Sequence, residues 1–338
     1  MNATMKRYRL ALLGYGNVGR ALARLLVVKS NELRERYGVE WEITGVATRR
    51  IGWRASDQAI DVSNTDEIPK QNGFEEWLAK ARPDVLFETT SLNPENGQPA
   101  IEYLKASLEA GAHTITANKG PIVYAYDELD AIAQANKKSF FFEATVLDSA
   151  PVFSLFRETL PGVKVRGFSG VFNSTTNVIL ETMEAGRSFA EGVKTAQELG
   201  VAETDPTHDV EGWDSIMKIC AIARVILQVP LKPSEVRREG IRGLDPQTLQ
   251  AARAEGKPYK LLSRAIVNPD GSIAATVRPE QIAPGDPFSS VRGTSLAVHF
   301  ELDTIPGLTI VSHRPNLQST AYGLLADFIN VTRLNKDR

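Results

Sequence analysis

At 338 residues the chain is too long for one small core, and two domains are the natural expectation. Hydrophobic residues make up 42% and charged residues 24%, an ordinary composition for a soluble globular protein. A formal net charge of −2 argues against nucleic acid or a membrane surface as partner.

In chain order, the segment Met1 to Arg9 is basic, but the apolar run after it reaches Gly14 after four residues, too short for a signal-peptide core or a membrane span. Tyr8 to Leu13 has the pattern of a buried parallel strand. Gly14-Tyr15-Gly16-Asn17-Val18-Gly19 follows, and then Arg20 to Lys29 at helical periodicity. In a strand–turn–helix setting the first glycine permits the tight turn, the second admits a pyrophosphate, and the third lets helix pack on strand. The free amides at the start of the helix complete a phosphate site, and dinucleotide binding is the expectation. The next strand, Trp41 to Thr48, leads into Arg49-Arg50 rather than an acidic residue. Two cations at that point suit a ribose 2′-phosphate and favour NADP over NAD.

Pro83 to Thr90 forms a further strand, and Thr90-Ser91 begins a loop at its C-terminal end, where open α/β sheets place ligands. A helix is expected from Pro99 to Ala110 and a strand from His113 to Lys119, with Lys119 placed for a substrate carboxylate or the nicotinamide edge. Tyr126 to Lys137 reads as a helix and Phe140 to Ala144 as a strand. Residues 1–144, joined by a returning C-terminal helix within 315–338, form the expected Rossmann-type α/β domain.

Beyond Thr145 the alternation loosens into an α+β pattern over 145–314. Helices are expected at Pro151–Leu160, Val178–Ala185, Phe189–Leu199 and Leu317–Leu334. Strands are expected at Val163–Phe172, Val236–Ile241, Lys260–Val267, Ala274–Ile282 and Ser295–Phe300. The polar run Asn173 to Asn177 caps the helix that follows it. Between these elements the stretch Glu203 to Lys218, rich in acids, runs straight into the apolar segment Ile219 to Leu227. From Trp213 it reads as a helix, which puts Asp214 and Lys218 on one face, four residues apart. A solvated ion pair is the bland interpretation. The apolar residues around Lys218 point instead to a semi-enclosed lysine whose proton is exchangeable near neutral pH. Cys220 lies in the same helix, and a lone cysteine among apolar neighbours fits a reducing, cytoplasmic compartment. No cysteine–histidine cluster suits zinc.

These motifs together resemble the homoserine dehydrogenase family over nearly the whole chain, in a short form without kinase or regulatory domains. The resemblance rests on the glycine-rich turn, Thr116 to Pro121, Glu143 to Val146, Gly170 to Asn177, Ala196 to Pro206, and Asp209 to Lys218. It implies hydride transfer between nicotinamide and a small amino acid, interconverting L-homoserine and L-aspartate 4-semialdehyde in threonine and methionine biosynthesis. Lys218 would be the acid/base, Asp214 would orient substrate and tune Lys218, and Lys119 would sit near the reacting centre. Glu203 would bind the substrate ammonium, with Asp209, Asn173 and Thr175 in the same substrate site. A monovalent cation, Na+ or K+, would be held near Glu143, Val146, Asp148 and Ala150, and a homodimer is implied. The chain departs from the family pattern at Leu147 to Ala150, at Ser174, and at His313 to Thr320, where side chains stand in place of glycines. Those departures leave open a related hydroxy- or amino-acid dehydrogenase and a catalytically silent nucleotide-binding homologue. The joint presence of Glu203, Asp214, Lys119 and Lys218 argues against the silent alternative, since none of them is needed for folding.

Overall fold

The computed structural model describes residues 5–334, so Met1–Thr4 and the end of the expected 315–338 helix beyond Leu334 lie outside the described residues. The chain forms two compact units, one of residues 1–149 with 317–338 and the other of residues 150–316.

The first unit is built on a seven-stranded sheet. Its strands are β1 (Lys6–Leu13), β2 (Val39–Thr48), β3 (Gly52–Ala55), β4 (Lys70–Gln71), β5 (Val85–Glu88), β6 (His113–Thr116) and β7 (Phe140–Phe141). They run in the order β4-β3-β2-β1-β5-β6-β7, parallel from β2 to β7, with β3 and β4 added antiparallel at one edge. The order reverses about β1, which puts the topological switch point beside the glycine-rich turn. Leu10, Leu12, Val46, Val85, Phe87 and Ile115 fill the core against Leu22 and Leu26 of the helix Asn17–Val28. The C-terminal helix Leu317–Leu334 closes the same core with Leu324, Leu325, Phe328 and Val331. Phe328 meets Tyr8 edge to face, ring centroids 5.5 Å apart.

Several expectations for this unit need correction. The strand expected over Phe140–Ala144 ends at Phe141, and Glu143–Thr145 is a 3₁₀ turn. The Glu143 amide donates to Asp327 Oδ2 at 2.8 Å, which takes it out of the ladder. The helix expected from Tyr126 begins at Lys119 and kinks at Ala125. Strands β3 and β4 and the helix Phe74–Ala81 went unread, because the segment carrying them is polar and the strands are short.

The second unit is built on a six-stranded sheet. Its strands are β8 (Val165–Val171), β9 (Arg237–Arg238), β10 (Tyr259–Val267), β11 (Ile273–Gln281), β12 (Leu296–Leu302) and β13 (Leu308–Ser312), in the order β13-β12-β8-β10-β11-β9. All pairs are antiparallel except β11 with β9. The helices Ser174–Glu184, Phe189–Glu198, Trp213–Ile222 and Pro246–Ala254 belong to this unit. The strand expected over Val236–Ile241 shrinks to two exposed arginines, and the helix expected over Pro151–Leu160 becomes a turn ending in the π-helical Leu155–Thr159. Strands β10 and β12 have neighbours on both sides. Leu261, Leu262, Ala265, Leu296, Ala297, Val298 and Phe300 are buried in the single chain.

Candidate active site

Past the C-terminal ends of β1, β2 and β5 the first unit opens a cleft of about 630 Å³. Gly14 and Gly16 line it, and the sequence there leaves little freedom. Gly14 has φ +97°, in the left-handed region, and a Cβ at this position would run into the Thr89 backbone. A Cβ on Gly19 would lie 2.8 Å from the Gly14 carbonyl, so the helix can pack this close only with hydrogen there. A Cβ on Gly16 would meet only the Gly14 carbonyl, at 3.9 Å, with space beyond. No side chain caps the helix Asn17–Val28, so its first amides are open to an anion. The cleft therefore fits a dinucleotide pyrophosphate by shape, backbone donors and dipole.

Thr90, Ser91 and Arg49 also line this cleft, and no carboxylate is among its described lining residues. Arg50 is exposed and is not part of the wall, and Asn17, Val18, Gly19 and Lys119 are likewise outside it. Val18 packs on the core instead. Lys119 is the first residue of the helix after β6, half-buried, where Asn118 caps the helix by accepting from the Gly120 amide at 3.0 Å. The sequence reading missed Trp53 and Tyr103, which line the cleft and meet edge to face at 5.7 Å. A four-residue strand gives a periodicity argument nothing to act on.

In the second unit, β8 delivers Phe172 and Asn173 to the start of the helix Ser174–Glu184. Asn173 Oδ1 accepts from the Thr176 amide as the helix cap, which fixes the side chain. Its Nδ2 then donates to Asp209 Oδ1 at 2.7 Å and to Asp214 Oδ2 at 3.0 Å. Lys218 Nζ lies 3.0 Å from Asp214 Oδ2 and donates to the Phe172 carbonyl at 2.5 Å. Only 12% of the Lys218 side chain and 20% of the Asp214 side chain are exposed, which rules out the solvated surface pair. Burial pushes the Asp209 carboxyl above its ordinary range and the neighbouring Asp214 charge adds to the effect, while the Asn173 hydrogen bond and the Lys218 ammonium oppose it. The result is a half-buried lysine beside two carboxylates held apart by one amide.

Thr175 is buried, and its hydroxyl donates to the Val201 carbonyl at 2.7 Å, tying down the chain before Glu203. Glu203 is exposed, and its backbone carbonyl accepts from Gln197. The Phe172 carbonyl was not readable in advance, because a backbone acceptor leaves no mark on the sequence. At the residues expected to hold a cation, Glu143 and Val146 are buried, and the Asp148 carboxylate accepts from Thr320 at 2.7 Å. Ala150 is buried as well. Among the described residues no group of three His, Cys, Asp or Glu side chains could hold a metal ion, and no helix is long and apolar enough to cross a membrane.

Comparison with known proteins agrees with this chemistry. A family model described as homoserine dehydrogenase matches residues 151–329, and one described as homoserine dehydrogenase, NAD binding domain, matches residues 14–143. The chain is 34% identical to an NAD(+)-dependent homoserine dehydrogenase of Pseudomonas canavaninivorans, over 97% of each chain. It is 31% identical to a homoserine dehydrogenase of Methanocaldococcus jannaschii, over 96% of this chain and 98% of that one. Among solved structures, a homoserine dehydrogenase from Thiobacillus denitrificans superposes with a TM-score of 0.85 at 28% identity, covering 98% of this chain and 75% of that one. The Thermoplasma acidophilum homoserine dehydrogenase, at 22% identity and a TM-score of 0.83, shares the fold. With a Rossmann-type cleft in one unit and a lysine–carboxylate cluster in the other, this chain belongs to the homoserine dehydrogenase family of NAD(P)-dependent oxidoreductases.

Proposed function

We propose that Lys218 is the acid/base of this dehydrogenase and that Asp209 and Asp214 recognise its amino-acid substrate. The observation that carries the reading is the Asn173 amide, which spends both N–H groups on the two carboxylates while Asp214 also pairs with Lys218. Two carboxylates kept side by side suit a ligand ammonium, whose charge relieves their mutual repulsion. Nicotinamide bound in the cleft would supply or accept the hydride. In the reducing direction, hydride addition to the aldehyde carbon moves the carbonyl electron pair onto oxygen. The Lys218 ammonium stabilises that developing charge and transfers a proton to the oxygen, leaving a neutral amine that solvent reprotonates. Glu203, exposed at the end of the same stretch, is a second candidate for the substrate ammonium.

Lys218→Ala should lower kcat by about 10²–10⁴-fold, the usual share of a general acid or base, while cofactor titration stays unchanged. Lys218→Arg should fail to restore turnover, because a guanidinium does not give up its proton near neutral pH. Near wild-type turnover of Lys218→Ala on homoserine would refute the assignment.

For the cofactor we favour NADP, supported by Arg49 on the cleft wall and by the lack of a described lining carboxylate that would accept from a free ribose 2′-hydroxyl. The name of the Pseudomonas relative makes NAD the competing reading. Arg49→Ala should weaken NADPH binding and spare NADH, with Arg50→Ala weaker in effect. Equal loss of both nucleotides in the Arg49 variant would remove the 2′-phosphate from the account. The reading also includes a cytoplasmic homodimer joined through the sheet of residues 150–316.

A further inference from the structure

The first unit contains a carboxylate that the proposed chemistry does not use. Glu88 is the last residue of β5, fully buried, and its partners are neutral donors. Its Oε1 accepts from the Thr90 amide at 2.8 Å and from the Thr90 hydroxyl. Its Oε2 accepts from the Thr116 hydroxyl at 2.6 Å. Thr116 stands directly opposite Glu88 across the β5–β6 ladder, so sheet register makes this contact. The chain of bonds continues, since Thr116 Oγ1 accepts from the Asn118 amide at 2.9 Å, and Asn118 caps the helix that starts at Lys119.

A carboxyl group at full burial is costly to keep, and an apolar residue of similar size would complete β5 as well or better. Burial pushes this group above the ordinary carboxyl range while the hydrogen bonds from Thr116 and Thr90 oppose the shift. What the cost obtains is geometric. One side chain grips Thr90, on the cofactor cleft, and reaches through Thr116 to the turn that aims Lys119.

We infer that Glu88 is a positioning residue that locks the cofactor wall at Thr90 to the start of the Lys119 helix, so that the cofactor and the lysine are held in one register. This rests on the reading that Thr90 touches the cofactor and that Lys119 lies near the reacting centre. Two variants distinguish the part of the relay beyond Thr116 from the whole. Thr116→Val cuts the bond toward Asn118 while leaving Glu88 on Thr90, and Glu88→Leu cuts both halves.

The test measures kcat on homoserine and NAD(P)H affinity by fluorescence titration, for both variants, in wild-type and Lys119→Ala backgrounds. Thr116→Val should lower kcat on the order of ten- to a hundredfold, the cost of a reacting group displaced by an ångström or less, and should leave cofactor affinity unchanged. Thr116→Ser, which keeps the hydroxyl, should restore turnover. Glu88→Leu should lower kcat and weaken cofactor affinity together. In the Lys119→Ala background the kcat effect of Thr116→Val should disappear, as expected for residues acting through one another. Wild-type kcat in Thr116→Val, or an equal loss in both backgrounds, would overturn the relay. If Lys119→Ala alone leaves turnover intact, the role of Lys119 fails, and the relay falls with it for lack of a group to position. A Glu88→Leu protein that does not fold leaves the Thr116 series to decide.

Discussion

At the residue scale the three glycines of the turn do different work, and substitution separates them. Gly16→Val should leave a folded protein, since its Cβ would meet nothing closer than 3.9 Å, yet abolish cofactor binding by filling the pyrophosphate approach. Gly14→Val should instead fail to fold stably, because it combines a left-handed backbone with a collision at Thr89. Thermal melts and NADPH titration of the pair would check this, and undiminished binding by a folded Gly16→Val would remove this loop from the cofactor site. The turn was legible in the sequence because three glycines at fixed spacing between a strand and a helix form a local pattern, even though the contacts that require them, such as that of Gly14 with Thr89, are not local. Lys218 and Asp214 were legible because helical spacing alone brings them together. Glu88 was not, since it ends an apolar strand and its meaning comes from Thr116, 28 residues away across a ladder. The polar run Asn173 to Asn177 was read as capping a helix from Val178, but the helix starts four residues earlier, at Ser174, with Asn173 alone as its cap. The grip of Asn173 on Asp209 and Asp214 depends on a loop closure that no local rule encodes.

At the scale of the element, the C-terminal helix was anticipated with its start at Leu317, because a long uninterrupted segment without glycine or proline breaks at its start invites a helix. Its return to the first unit was also anticipated, though which of its residues enter that core is set by a sheet started 300 residues earlier. Phe328 is fully buried there, in edge contact with Tyr8 and with Phe87 at 6.0 Å. Phe328→Ala should destabilise the protein by about 3–5 kcal/mol, the cost of a large aromatic cavity. Chemical denaturation followed by tryptophan fluorescence would measure it, and a loss below about 1 kcal/mol would mean the helix is not a core element. Short elements escaped for the opposite reason. Strands β3 and β4 are held by ladder bonds to their neighbours rather than by any pattern of their own.

At the scale of the whole molecule, the division into a nucleotide unit and an α+β unit follows from where the βαβ order stops, and the sequence shows that point plainly. The edges of the second sheet were less visible. Strand β13 closes one edge and was not anticipated, and each of its five residues is half-buried in the single chain. The outer strand carries Leu308 and Ile310 on one face, while Val311 alternates to the other and packs on the core of its own sheet. The open edge of this strand is the surface we assign to the dimer contact. Light scattering at micromolar concentration should give twice the 37.0 kDa chain mass, and Ile310→Lys should shift the protein toward monomer. A monomeric wild type would overturn the assignment.

The first unit takes its residues from both ends of the chain, 1–149 and 317–338, with the second unit spliced between them. During synthesis, strands β1 to β7 leave the ribosome with an apolar face that Leu324, Leu325, Phe328 and Val331 have not yet reached. A nucleotide unit that begins to fold as it leaves the ribosome is therefore incomplete until those residues follow. The inserted unit, 150–316, has its whole sequence available before residues 317–334 are made, and the nucleotide unit has to wait for them. Until then its sheet keeps an uncovered apolar face, the kind of surface that promotes aggregation.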